Sequence, residues 1–291
     1  MFLKNSFQSV LLACAAIVLP LSLAMAAEPT RLVLRSGGSL PLTAVTLQGD
    51  KLVTIVAGEG YVLGQIFPLT GVDHVFGEKP PTYRPAIAML LMGKPVEALK
   101  LLEPIVIEQR ATAKIPGNFW LDAARAALVA YAVTGNTVKC SEIGKEISEA
   151  TISQGIDPFV SLGKALLLPS SVKIEERAVA LGDLTTDDLP ADVCAYASLY
   201  RADLLNTIKR DSDTSKGRKQ DLASLEAYLT IPCLFPSGSI ILNSVAELKA
   251  AEFLVALERR EEAVALLKSA VRGATGTSIA VDAQKRLETL Q

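Results

Sequence analysis

The run RREEAVALLKSAV (259–271) decides the fold of this chain. Its apolar residues recur at helical spacing, and Glu261 and Glu262 open it as acidic residues open a helix. Two positions, Ala263 and Ala270, are small and stand seven residues apart, on one face. Two antiparallel helices approach closely only where a side chain is nearly absent, so these alanines mark a face against which another helix lies. A second run, GKPVEALKLLEPIV (93–106), has the same organisation far upstream.

Each run follows an apolar helix and a tight turn: AIAMLLMG (86–93) before the first, LKAAEFLVALE (248–258) before the second. Ala98 and Ala263 hold equivalent places 165 residues apart, five units of 33. A helix hairpin of this period resembles the tetratricopeptide-repeat family, whose small residues fall at the eighth, twentieth and twenty-seventh positions. With Ala263 at the twentieth, Ala251 and Ala270 fill the other two. With Ala98 there, Ala86 takes the eighth and Gly93 the turn, while Ile105 breaks the third. Between these ends ALVAYAVTGNTVKCSEI (127–143) fits a third hairpin, with Tyr131 and Gly135 at the aromatic and turn positions and Cys140 at the small buried one. Two irregular hairpins follow, over 157–184 and over 190–229, the second with a long loop (211–219). The last helix, 278–290, is expected to cap the array.

Residues 31–76 have a different texture. Short β-rich runs near 31–36, 42–48, 51–57, 61–67 and 72–76 are separated by turns at Gly37-Gly38, Gly49-Asp50 and Gly58-Glu59-Gly60. Five such strands close most easily into a small barrel, which removes exposed edges, and the order of runs resembles SH3-like or Sm-like barrels. The expected class is therefore mainly α: a five-stranded antiparallel β-barrel over 27–77, a proline-rich hinge over 78–85, and a TPR-like α-solenoid over 86–291.

Ahead of these, Lys4 precedes the apolar stretch VLLACAAIVLPLSLAMA, which ends in Ala24-Met25-Ala26. This reads as a secretory signal over 1–26 and predicts export to the periplasm or cell envelope. LLAC (11–14) resembles a lipoprotein box, but Leu12 is bulky and the apolar run continues past Cys14; an uncleaved membrane anchor is the other alternative. Three cysteines remain, Cys140, Cys194 and Cys233, without CxxC spacing. They read as buried small apolar residues, with a Cys194–Cys233 bridge as the alternative.

Chemistry-bearing motifs are sparse. With 29 basic and 31 acidic residues the chain is nearly neutral, which argues against nucleic-acid or anionic-membrane partners. The single histidine, His74, follows Asp73, but strand neighbours face opposite ways, so Asp73 is not expected to orient it. No GxSxG exists, GEGYVLG (58–64) is too long for GxGxxG, and GATGTS (273–278) lacks a P-loop lysine. In DSDTSKG (211–217), Asp211, Asp213 and Ser215 alternate like calcium ligands, yet Leu222 stands where a bidentate Glu is required. The acidic pairs Glu175-Glu176, Asp187-Asp188 and Glu261-Glu262 read as residues of helix starts or exposed faces, and Trp120 as a packing anchor.

These observations predict no catalytic, cofactor or metal residues. The repeat resemblance implies an exported, non-enzymatic scaffold whose concave surface, lined by the first helix of each pair, holds a protein or peptide partner. A structural subunit of an envelope assembly is the alternative. An envelope hydrolase, for instance a two-carboxylate glycosidase, is the third reading.

Overall fold

The computed structural model describes residues 29–151, 155–208 and 214–290. The leader expected over 1–26, with its lipoprotein-like box, lies outside the described residues. The protein is mainly helical, with two small antiparallel sheets at the N-terminal side.

Among the described residues six short strands form the sheets: β1 (Arg31–Leu34), β2 (Ser39–Pro41), β3 (Val45–Gln48), β4 (Lys51–Thr54), β5 (Ile66–Pro68) and β6 (Val72–Phe76). Their orders are β2-β1-β6 and β3-β4-β5, so five strands in one closed sheet are replaced by two sheets of three. The reason lies in two prolines. Pro41 and Pro68 cannot donate to a ladder, and each hands over to a 3-10 turn, Leu42–Ala44 or Leu69–Gly71. The two corners carry nearly the same sequence, PLTAV (41–45) and PLTGV (68–72), and each closes with the valine N–H on the leucine carbonyl. Leu32, Leu40, Leu52, Val72 and Val75 fill the space between the sheets.

This core is completed from the helical part. Ile115, on the loop following the second helix, is buried among these residues, and the Pro116 carbonyl accepts from Val75 N–H at 3.0 Å. The expected hinge is thus shorter than 78–85 and not free. The first helix begins at Tyr83, so Pro85 sits in its first turn, where a missing N–H breaks no helical bond.

The helices are α1 (Tyr83–Leu91), α2 (Pro95–Gln109), α3 (Trp120–Val133), α4 (Thr137–Ala150), α5 (Pro158–Leu166), α6 (Ile174–Gly182), α7 (Ala191–Asn206), α8 (Thr214–Leu234), α9 (Ile240–Ala256), α10 (Arg260–Gly273) and α11 (Ser278–Leu290). The first ten form five successive hairpins; α2, α4, α6 and α10 are amphipathic. The odd helices lie inside. Apart from Val133 at its end, α3 has no exposed residue, and α1 and α5 each expose one, Arg84 and Lys164. Alanine makes this possible: six of the fourteen α3 residues are Ala, which lets neighbours approach on every side.

The inner helices meet in succession, α1 with α3, α3 with α5, α5 with α7, α7 with α9, and α9 meets α1. The Arg84 guanidinium donates to the Gly273 carbonyl at the end of α10 (3.2 Å), and α11 packs on α9, α10 and α1 through Ile279, Ala283 and Leu287. The final helix therefore joins the last hairpin to the first helix, beyond the expected role of an end cap.

Candidate functional site

The closed circuit has a direct consequence for binding. The faces that the repeat resemblance assigns to a concave ligand surface belong to α1, α3, α5, α7 and α9, and these are spent on one another in a single contiguous core. Large apolar residues are exposed one at a time along the helical part, Ile107, Ile156, Leu234 and Val281 among them, and are most closely spaced in sequence at the connection between β4 and β5. Ile55, Val56, Val62, Leu63 and Ile66 are all exposed there, Val62 and Leu63 by 65 and 66 %, and Glu59 is the only charge from 55 to 66.

This connection is a built hairpin. Thr54, buried at the end of β4, accepts Gln65 N–H on its hydroxyl oxygen at 2.8 Å and donates that hydroxyl to the Val62 carbonyl. Thr54 and Gln65 also exchange backbone contacts with the turn, Thr54 N–H to Gln65 O at 3.0 Å and Gly64 N–H to Thr54 O at 2.9 Å. At the tip Gly58 pairs with Tyr61, whose ring occupies the space a Cβ at Gly58 would need. Any larger residue there would displace the ring. The Thr54 contacts fix the backbone on which these five exposed apolar residues stand.

Asp73 and His74 depart from expectation. Asp73 Oδ2 lies 2.9 Å from His74 Nδ1, with both side chains about half exposed. Alternation fails here because the β1–β6 register slips: Val33 faces His74 and Leu34 faces Val72, which leaves Asp73 as the extra residue of a bulge. The pair is open to water, and its other charged neighbour is Arg35, 4.0 Å from Asp73.

The remaining charged clusters tie helices together. Asp157 caps α5 by accepting Phe159 N–H at 3.0 Å, while its other oxygen takes the Arg125 guanidinium of α3. Asp203 of α7 receives Lys249 of α9 on both oxygens at 2.6 Å and the Tyr228 hydroxyl of α8 at 2.7 Å, so one carboxylate joins three helices. Sequence reasoning missed both clusters; the helix-start Asp-Pro of 157–158 was the one local signal. Lys79 pairs with Asp122 at 2.6 Å across the start of α3.

Cys140 and Cys194 are buried free thiols, both held above the ordinary thiol range by desolvation, and Cys233 is free and exposed on α8. No Cys194–Cys233 bridge is present. Trp120 is buried at the start of α3, where the Asn118 side chain accepts Leu121 N–H. Glu175-Glu176 and Glu261-Glu262 stand in the first turns of α6 and α10, and Asp187-Asp188 precede α7. Asp211 and Asp213 lie outside the described residues, but α8 begins at Thr214 and carries Leu222, so the twelfth calcium-loop position falls on a helix. Among the described residues no group of three or more His, Cys, Asp or Glu could hold a metal ion, and no helix is long and apolar enough to cross a membrane.

Fold and surface together define a class: a mainly helical protein of five closed-up hairpins, carrying a small two-sheet module with an apolar hairpin at its tip. No family model, curated protein or solved structure matches the chain.

Proposed function

We propose that this protein is an exported, non-enzymatic scaffold that binds a protein partner through the 55–66 hairpin. The observation that carries the reading is the outward display of Ile55, Val56, Val62, Leu63 and Ile66 on a frame fixed by Thr54. A preorganised backbone loses little entropy on docking, and exposed apolar residues crowded on one hairpin are what an interaction site requires. The charged clusters support a non-catalytic role, since Arg125–Asp157 and Asp203–Lys249–Tyr228 each hold helices in place. Helix hairpins with Ala86, Ala98, Ala251, Ala263 and Ala270 all buried support the resemblance to tetratricopeptide arrays. The leader ending in Ala24-Met25-Ala26 supports export. A permanent subunit of an envelope assembly would use the same hairpin.

A photo-crosslinking residue placed at Val62, with one at the exposed Val281 of α11 as control, tests the reading in the native envelope. A discrete protein adduct at position 62 that is absent at 281 and is abolished by Leu63→Asp is expected. Adducts identical at both positions, or insensitive to Leu63→Asp, would overturn it. Recovery of the partner in equal amount with every molecule would identify the assembly subunit instead of a transient scaffold.

A further inference from the structure

In the first two hairpins the outer helices α2 and α4 both pack on α3, and a groove of about 320 Å³ is left between them. α2 lines it with Glu103, Val106, Ile107 and Arg110, and α4 with Lys139, Glu142, Ile143 and Glu146. Each set follows the i, i+3, i+4, i+7 spacing of one helix face, so the groove runs two turns, about 10 Å. Ala127 and Tyr131 of α3 lie between the two walls. The middle positions of both walls are apolar, Val106 and Ile107 on α2 and Ile143 on α4, and Ile107 is 71 % exposed.

The ends of the walls carry the charges, three carboxylates against two cations. Arg110 pairs with Glu146 across the groove, and Lys139 pairs with Glu142 along α4 at 2.9 Å. Glu103, the third carboxylate, is exposed, and the group bonded to it is neutral: the Tyr131 hydroxyl donates to Glu103 Oε1 at 2.6 Å. Burial first, and then this bond, holds the Tyr131 phenol above its ordinary range, so it stays a neutral donor. The Lys139 ammonium is held above its own range by Glu142 first and feels Glu103 more weakly. One negative charge in excess thus stands beside an apolar trough open to water.

We propose that this groove binds a primary alkylammonium, its N–H groups donating to the exposed Glu103 carboxylate and its alkyl chain lying along Val106, Ile107 and Ile143. Tyr131 already occupies one Glu103 oxygen, which disfavours the two parallel bonds of a guanidinium and suits the point charge of an ammonium. A free amine and a lysine side chain offer this chemistry alike. The site is separate from the 55–66 hairpin and does not depend on the role of that hairpin.

An NMR titration of the isotope-labelled chain with hexylammonium chloride tests this, with sodium hexanoate as the charge-reversed comparator. Saturable shifts centred on the amides of 103–110 and 139–146 are expected with hexylammonium and none with hexanoate. Nα-acetyl-lysine methylamide separates the two sources. The same shifts with it assign the groove to a lysine side chain, and shifts with hexylammonium alone assign it to a free amine. Glu103→Gln keeps an acceptor for Tyr131 and removes the charge, and should weaken hexylammonium binding about tenfold or more. Ile107→Ser cuts back the apolar wall at an exposed position and should weaken it about threefold. Thermal melts on the same samples establish that the variants are folded, and Ile107→Ser carries the test alone if Glu103→Gln is not. No saturable shift with hexylammonium, an equal response to hexanoate, shifts centred away from the groove, or affinity unchanged in the folded variants would overturn the proposal.

Discussion

At Gly93, Gly135 and Glu258 the chain makes the same turn three times. Each residue has a positive φ, +74°, +73° and 63°, and in each the following N–H reaches back to close the preceding helix: Lys94 to Met89, Asn136 to Tyr131 and Arg259 to Leu254, at 2.9, 2.9 and 2.8 Å. The glycines of the first two hairpins were legible as turns, whereas Glu258 carries no such signal because its neighbours impose the conformation. Gly135→Ala should lower stability by about 1 kcal/mol, measured as a fall in the urea midpoint, since an L-residue resists this region. Glu258→Gly should do the reverse by about 0.5 kcal/mol, strain relief being partly offset by the entropy of glycine. Glu247 of α9 gives a pH dependence. Burial raises its pKa, against the opposing influence of the Ser269 hydroxyl bonded to it at 2.8 Å and of Arg272. The folded state therefore holds this proton more tightly than the unfolded one. That contribution is complete below the ordinary glutamate range, near pH ~4.3, and is lost as pH rises through the raised folded value. Glu247→Gln keeps an acceptor for Ser269 without the charge. Its stability should exceed wild type at pH 7, with the gap narrowing toward pH 4 in urea titrations at the two pH values.

At the scale of elements, the α9–α10 hairpin was the most legible part of the molecule. Ala251, Ala263 and Ala270 are all fully buried between the helices, as the spacing of small residues predicts. Ile105, which breaks the small-residue rule in the α1–α2 hairpin, is buried as well, so that position accepts bulk where the neighbouring helix leaves room. Ala263→Leu has no such room. It should cost about 1–3 kcal/mol by overpacking, and an unchanged melting temperature would show that α10 does not lie where its alanines meet α9. The strands were less legible. Hydrophobic runs at 42–48 and 61–67 suggested continuous strands, but Pro41 and Pro68 set 3-10 corners, and the Thr54-anchored hairpin takes up most of the second run. The repeated PLT(A/G)V was the available signal, and its meaning is the missing N–H of proline.

For the whole molecule, closure of the inner helices changes how stability is distributed. The first helix of an open array has one unpartnered side and frays, whereas here α1 is packed by α2, α3, α9 and α11 and tied by Arg84 to Gly273. Native-state hydrogen exchange should find the α1 amides from Ile87 to Leu91 protected to the level of α3. Deleting residues 278–291 should lower protection in α1 more than in α3, although α1 lies almost two hundred residues away in sequence. Equal loss in both helices would mean that α11 stabilises only its own hairpin.

Local chemistry determined much of this protein from sequence alone. The 3.6-residue periodicity, the paired alanines and the turn glycines specify helix hairpins, and the β-rich runs with glycine turns specify a small sheet module, because each depends on residues close together in the chain. The bulge that brings Asp73 to His74, the Asp203–Lys249–Tyr228 junction, the docking of Ile115 beneath the sheets and the meeting of α1 with α9 and α11 depend on residues brought together only by packing. So does the choice of which apolar surface remains outside. The inner helices and the 55–66 hairpin are both rich in Ala, Val, Ile or Leu, and composition does not distinguish them. Packing of the helical circuit buries the first, while nothing in the fold covers the second, because burial depends on which elements meet and not on composition.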